Sequence, residues 1–368
     1  MTSELSTFAA RLRERILSQP RDTSLGDEFG ALALELFGLQ FAHNSAYRKI
    51  CEARRLIPAT INNWTQIPAV PAAAFKELEL TSLPRGQRTH VFHSSGTTEQ
   101  RPSRHFHNAE SLALYEASLW SWFQPNVLGG FQFSAFDFQL LLLTPPPELA
   151  PHSSLVHMFE VARQKLGAKK DCFVGRLDAN GAWELDCEAV LDATRTTQHA
   201  LLLLGTAFAF VHLLDYMAER NLHLQLPPGS RVMETGGYKG RSRELPKAEL
   251  HALITERLGV PAANILCEYG MSELGSQAYD TEIYPPSSIL HPRCFRFPPW
   301  ARVQIISPET GREVAEGEAG LIRVFDLANV FSVFAIQTED LAIRRGDGFE
   351  LLGRAALAEP RGCSLMTA

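Results

Sequence analysis

The sequence predicts an α/β fold in which mainly parallel sheets are covered by helices and followed by a β-rich C-terminal part. Three observations carry that expectation. From about residue 136, apolar runs at 138–143, 172–175, 200–204, 231–234 and 265–268 alternate with stretches of helical period, clearest at 155–166 and 245–258. Runs that are apolar throughout suit strands buried on both faces, and strand–helix alternation implies a mainly parallel sheet. After Pro285 the character changes to proline-marked irregular chain and then to short alternating segments, the pattern of antiparallel hairpins.

Taken in order, the first ninety residues read as helices separated by proline. Leu5, Phe8, Ala9, Leu12 and Ile16 recur at helical spacing while Arg11, Arg13 and Arg15 point elsewhere. Phe29, Leu32, Ala33, Leu36 and Phe37 form a second apolar face, and Pro58, Pro68 and Pro71 interrupt the chain beyond it. In the central part, Gly259 and Pro261 end the helix at 245–258. Beyond Pro286, Pro292, Pro298 and Pro299, strands are expected at 301–306, 320–325, 341–345 and 349–352, with turns at 308–311 and at Gly346-Asp347-Gly348. The expected organisation is a large domain over 1–340, with a helical start at 1–90, an α/β core at 91–284 and a β-rich part at 285–340. Residues 341–368 are then a short C-terminal remnant and tail.

With 368 residues, 45% of them apolar, the chain can bury a large core without disulfides or metals. Its net charge of −6 argues against a nucleic-acid surface, which needs clustered Lys and Arg. Cys51, Cys172, Cys187, Cys267, Cys294 and Cys363 are too scattered for CxxC metal or redox spacing and suit a reducing compartment. Glu4 and Glu14 count against a transit peptide, and the apolar run at 200–211 is too short to span a bilayer. A cytoplasmic protein with no membrane span is expected.

In α/β sheets ligands bind outside the carboxyl ends of the strands, so motifs there matter most. His93-Ser94-Ser95-Gly96-Thr97-Thr98-Glu99-Gln100-Arg101-Pro102-Ser103-Arg104 gathers hydroxyls around one glycine with two arginines behind. Such a loop can wrap phosphate oxygens with N–H and hydroxyl groups, although read alone it is equally a solvated turn. Glu234-Thr235-Gly236-Gly237-Tyr238-Lys239-Gly240 follows an apolar run, and its paired glycines admit a flat ligand close to the backbone. Cys267-Glu268-Tyr269-Gly270-Met271-Ser272-Glu273 offers an aromatic face for a base, then a hydroxyl and a carboxylate suited to phosphate and Mg²⁺. Thr338-Glu339-Asp340 places a carboxylate where it could accept both hydroxyls of a ribose, and Gly353-Arg354 lies nine residues before Cys363. Each of these pieces has an ordinary structural explanation by itself.

In this order, however, the pieces resemble the adenylate-forming enzymes, which activate a carboxylic acid with ATP to an acyl-AMP. Ser94-Ser95-Gly96-Thr97-Thr98 looks like their phosphate loop, and Thr235-Gly236-Gly237 like their adenine-flanking glycines. Tyr269-Gly270-Met271-Ser272-Glu273 is similar to their YGxTE-type motif, and Thr338-Glu339-Asp340 to their TGD motif. Gly353-Arg354 resembles their hinge pair. Within this superfamily the chain most resembles the acyl-protein synthetases of the LuxE family, through its length, Pro71-Ala72-Ala73-Ala74-Phe75-Lys76, and the ending Arg361-Gly362-Cys363-Ser364-Leu365. Glu99 departs from the superfamily, which usually has Gly there, and Arg101 and Arg104 are the expected offset to its charge.

The resemblance implies the fold of the N-terminal domain of adenylate-forming enzymes with the C-terminal domain truncated, so that Arg354, Lys239 or Arg241 supplies the charge of the usual catalytic lysine. It also implies ATP and Mg²⁺ as cofactors. Ser94, Ser95, Gly96, Thr97, Thr98, Gly236, Gly237, Tyr238, Glu268, Tyr269, Gly270, Met271, Ser272 and Asp340 would bind the nucleotide, Glu273 would bind Mg²⁺, and Cys363, Arg354 and Lys239 would be catalytic. The substrate would be a carboxylic, fatty acid, with its pocket beside Gly236-Gly237 and Phe136, Phe208 and Phe210 as lining. The acyl group would pass to Cys363, or failing that Cys267, and then to a partner reductase. Two alternatives stand: a ligase that passes the acyl group to coenzyme A or a carrier-protein thiol, and a non-catalytic nucleotide-binding scaffold.

Overall fold

The computed structural model describes residues 3–18, 24–94, 101–129, 138–238, 242–280 and 293–354. Helix α1 (Glu4–Ser18) buries Leu5, Phe8, Ala9, Leu12 and Ile16, the stripe marked out by their spacing. Helices α2 (Ser24–His43) and α3 (Ser45–Ala53) are separated by Asn44, whose side chain accepts the Tyr47 N–H at 3.1 Å and so caps α3. Strand β1 (Val70–Pro71) and the single turn α4 (Ala74–Glu77) close the helical part. It is not a separate layer, because β1 pairs in parallel with Ile336 and Gln337 near the other end of the chain.

Strands β2 (His90–His93) and β3 (Arg104–His107) form an antiparallel hairpin that the apolar pattern does not announce. Then come α5 (Ala109–Phe123), β4 (Phe138–Leu142), α6 (Ser154–Lys165), β5 (Gly175–Leu177), β6 (Trp183–Leu185), α7 (Cys187–Thr196), β7 (Ala200–Thr206) and α8 (Ala207–Glu219). They are followed by β8 (Arg231–Thr235), α9 (Lys247–Leu258), β9 (Ile265–Tyr269) and β10 (Ala278–Tyr279). The central sheet runs β10-β9-β8-β7-β4, parallel except for β10. Helix α9 ends at Gly259, whose φ of 68° is left-handed and favours glycine.

The run at 172–175 corrects one expectation, for it is not a strand of this sheet. Lys170–Cys172 is a 3₁₀ turn, and Gly175 begins a small hairpin with β6. The chain only touches the edge of β4, where Val174 donates to the Leu142 carbonyl at 3.0 Å and Gly175 to that of Thr144 at 3.0 Å. A Cβ at Gly175 would collide with the Thr144 backbone, so the approach depends on glycine.

The β-rich part forms as expected from β11 (Ala301–Ile306), β12 (Ala319–Asp326), β13 (Ala335–Arg345) and β14 (Gly348–Arg354), all antiparallel. A two-residue turn at Gly346 and Asp347 joins the last two, Gly346 taking a φ of 59°. Strand β13 is continuous through residue 340, so the expected boundary there falls inside one strand. One apolar core joins helices α1–α3 to this sheet around Trp300, Phe325 and Phe334, while two others cover the faces of the central sheet. No helix among the described residues is long and apolar enough to cross a membrane.

Candidate active site

The carboxyl end of the central sheet meets the β-rich part along one line of polar residues. Strand β9 ends at Tyr269, whose hydroxyl donates to Asp340 Oδ2 at 2.8 Å. This contact joins two motifs 71 positions apart. The Tyr269 ring is 7% exposed, with Phe295, Phe297 and Phe349 set edge-on at 6.1, 6.2 and 5.3 Å. Those contacts fix the plane of the ring. Asp340 lies on β13 directly across from Arg354 in the β14 register, with Arg354 Nε 3.8 Å from Asp340 Oδ1. The Asp340 side chain keeps 20% exposure and Arg354 83%, so both face an open surface. Burial raises the Asp340 carboxyl above its ordinary value, and the Tyr269 hydroxyl and Arg354 oppose the shift.

Next to this pair, β8 ends at Thr235 in register with Glu268 of β9. The Thr235 hydroxyl donates to the Glu268 carboxylate, yet burial pushes that carboxyl up to about 7. Gly236 takes a φ of 69°, and a Cβ at Gly236 or Gly237 would meet no atom within 4 Å. The glycine segment therefore presents bare backbone to open space. Tyr238 turns back into the fold, its hydroxyl donating to the Leu245 carbonyl at 2.9 Å.

Hydroxyls and one carboxylate line the other side. Ser94 Oγ accepts the Ser103 N–H at 3.0 Å, Ser103 Oγ lies 3.4 Å from Ser272 Oγ, and Ser272 Oγ donates to Glu273 Oε2 at 3.0 Å. The Nδ1–H of His105 donates to the Ser272 carbonyl at 2.9 Å, and burial depresses this imidazole to about 4, so it is neutral. Oxygen donors of this kind fit a hard cation, and Mg²⁺ is commonly held by one or two carboxylates together with substrate phosphates. Glu273 is suited to that arrangement. Among the described residues no three His, Cys, Asp or Glu side chains form a metal cage by themselves.

Tyr269, Gly270, Met271, Ser272, Glu273, Asp340 and Arg354 thus meet at one place, with Glu268, Gly236 and Gly237 beside them on adjoining strands. Ser95, Gly96, Thr97, Thr98, Glu99, Lys239, Arg241, Phe136 and Cys363 lie outside the described residues. Arg101 and Arg104, read as the offset to Glu99, approach Glu77 at 4.0 Å and Glu79 at 3.9 Å. Cys267, the reserve acyl acceptor, is buried within β9, and burial followed by the charge of Glu234 pushes its thiol well up, the opposite of what a nucleophile requires. Phe208 and Phe210 are buried in the core beneath α8. The sequence motifs leave out Asp326 and Asn329, which bond the Glu273 loop, and Gln40, which bonds the connection carrying Asn329. Asp326 ends an apolar alternating strand, so the strand-end rule applied to the other motifs would have found it.

Known proteins resemble this arrangement in sequence and in fold. Residues 184–368 match the acyl-protein synthetase family LuxE. The chain is 22% identical to the long-chain-fatty-acid–luciferin-component ligase of Aliivibrio fischeri, over 92% of this chain and 87% of that protein. It is also 22% identical to the protein of the same name from Vibrio harveyi, over 88% of this chain and 83% of that protein. Its fold is similar to that of 2-hydroxyisobutyryl-CoA ligase solved with 2-HIB-AMP and CoA in the thioesterification state, with a TM-score of 0.65 and 14% identity over 93% of this chain and 70% of that one. The chain belongs to the LuxE family of acyl-protein synthetases and is an enzyme of the ligase type.

Proposed function

We propose that the protein uses ATP to convert a fatty acid to acyl-AMP, holds the acyl group as a thioester on Cys363 and hands it to a partner protein. The observation that supports the nucleotide site is the 2.8 Å hydrogen bond from Tyr269 to Asp340, which puts an aromatic ring beside a carboxylate, with the open Gly236–Gly237 backbone following the neighbouring strand. In this reading Gly236, Gly237 and the backbone of Tyr238 flank the base with Tyr269, Glu268, Gly270 and Met271. Asp340 receives the ribose hydroxyls. Ser94, Ser95, Gly96, Thr97, Thr98 and Ser272 hold the phosphates. Glu273 holds Mg²⁺, which supplies charge neutralisation on phosphate oxygens when bound. The fatty acid is inferred from the names of the two bacterial relatives.

A carboxylate oxygen of the acid attacks the α-phosphorus of ATP, the bond to the bridging oxygen of pyrophosphate breaks, and pyrophosphate leaves. The protein contributes orientation and fixed positive charge, with Arg354 and Lys239 as the cations that answer the charge on the phosphates. The Cys363 thiolate then attacks the acyl carbon and AMP leaves, the thiol proton having passed to solvent. The acceptor after Cys363 is an acyl-accepting reductase or another carrier.

The test is pyrophosphate release from ATP with saturated fatty acids of graded length, alongside labelling of the enzyme by radioactive acid. Release that depends on the acid, with a hydroxylamine-labile label lost in Cys363→Ser, is the expected result. Release that requires coenzyme A, with no labile label on either form, would replace the thioester step by direct transfer, and equal labelling of both forms would move the thioester to another cysteine. A nucleotide-binding scaffold would release none.

A further inference from the structure

The expected metal carboxylate stands on a loop clamped by residues that no motif contains. Asp326, at the end of β12, accepts the Gly275 N–H at 2.8 Å on Oδ2, and the Ser276 hydroxyl at 2.7 Å and the Ala328 N–H at 3.1 Å on Oδ1. Three residues on, Asn329 Nδ2 donates to the carbonyl of Glu273 itself at 2.8 Å and to that of Val333 at 3.3 Å. Both side chains are buried. Gly275 is pressed against this connection, for a Cβ there would lie 2.9 Å from Asn329 Oδ1 and 3.0 Å from the Ala328 Cβ.

The connection is in turn held from the far end of the chain. Gln40 of α2, also fully buried, donates to the Asn329 carbonyl at 2.7 Å and the Val330 carbonyl at 3.1 Å, and its Oε1 accepts the Phe334 N–H at 3.2 Å. A buried amide that spends all three bonds on one loop specifies that loop's shape, since misplacing it would strand polar groups away from water.

We propose that Asp326 and Asn329 are positioning residues for the Glu273 carboxylate, and that Gln40 makes the N-terminal helices part of the same support. The proposal rests on the reading of Glu273 as the Mg²⁺ carboxylate. Groups that orient a ligand from behind tune metal affinity even though they never touch the metal, so the effect falls on the metal requirement ahead of the limiting rate.

The test measures Mn²⁺ binding by electron paramagnetic resonance with ATP and no acid present, and beside it fatty-acid-dependent pyrophosphate release by the full chain against Mg²⁺ concentration, below the melting range of each variant. Asn329→Ala and Asp326→Asn are expected to raise the half-saturating Mn²⁺ and Mg²⁺ concentrations by about 10-fold or more, with the rate recovering toward wild type at saturating Mg²⁺. Gln40→Leu should give a smaller rise in the same direction. Tyr47→Phe, which loses the buried bond to the Pro68 carbonyl in the same helical part, should lower the melting temperature without moving the Mg²⁺ requirement. Asn329→Ser is made alongside, so that if Asp326→Asn fails to fold the proposal stands or falls on the two Asn329 variants. If Glu273→Gln shifts the requirement and the Asn329 and Asp326 variants do not, the positioning role is overturned. If Glu273→Gln itself leaves the requirement unchanged, the reading of Glu273 falls, and the proposal with it.

Discussion

At the carboxyl end of the central sheet, Glu268 is sealed from water with the Thr235 hydroxyl on its carboxylate. At the end of β12 in the other sheet, the equally buried Asp326 takes two backbone N–H groups and the Ser276 hydroxyl. Burial lifts both, Glu268 to about 7 and Asp326 to about 6. Their surroundings differ in kind. The Asp326 bonds go to the chain itself and fix a loop, while Glu268 sits beside open glycine backbone where a ligand is expected, near the pH at which its charge changes. On the proposed reading, buried carboxylates in one molecule divide between framework and site, and the number of fixed donors around each separates the two roles.

The largest effect belongs to the framework side. Trp300 is fully buried, its Nε1 donates to Ser118 Oγ at 2.8 Å, and its ring packs edge-on to Trp122 at 6.4 Å. Trp300→Ala is expected to cost about 3–5 kcal/mol, read as a fall in the denaturation midpoint. A loss below about 1 kcal/mol would mean that the β-rich part is not the anchor described.

On the site side, Asp340→Ala is expected to weaken ATP binding by roughly 1.5–3 kcal/mol, the worth of charge-assisted bonds to ribose hydroxyls, and to cost about 1–3 kcal/mol of stability because the Tyr269 hydroxyl loses its acceptor. Calorimetric titration decides it, and unchanged affinity in the folded variant removes the ribose assignment.

Glu268 gives a comparable effect with a definite sign. Its folded-state pKa of about 7 lies above the ordinary glutamate value, so the folded protein holds the proton more tightly. The contribution is therefore fully present below the unfolded value and is lost as pH rises through about 7. Glu268→Gln should gain on wild type between pH 5 and pH 8, by about 2–3 kcal/mol, measured as denaturation midpoints at the two values. A gap that stays constant with pH would place the titration elsewhere. Smallest of all, Arg11→Ala breaks the exposed Arg11–Glu35 pair and should change stability by no more than about 0.5 kcal/mol.

Local signals in the sequence carried the central sheet well. The stripe of α1 and strands β4, β7, β8 and β9 follow from apolar spacing, because each is a continuous segment whose own side-chain pattern marks it whatever it packs against. Long-range contacts were not readable. Nothing in Val70 or Pro71 announces Ile336 and Gln337 as partners, and nothing in Gln40 announces the loop nearly three hundred residues away. The meeting of Tyr269 with Asp340 was legible only through the family resemblance, since spacing alone does not bring two strands of different sheets together. The run at 172–175 misled because four apolar residues suit a sheet edge as well as a strand.

The most direct test of acyl-AMP formation is a single turnover of Cys363→Ser with ATP, Mg²⁺ and a fatty acid, quenched and analysed by mass spectrometry for nucleotide products. Acyl-AMP accumulating in step with pyrophosphate is the predicted result, since activation is complete and the thioester step is blocked. ADP with phosphate, or intact ATP with every acid tried, would contradict it.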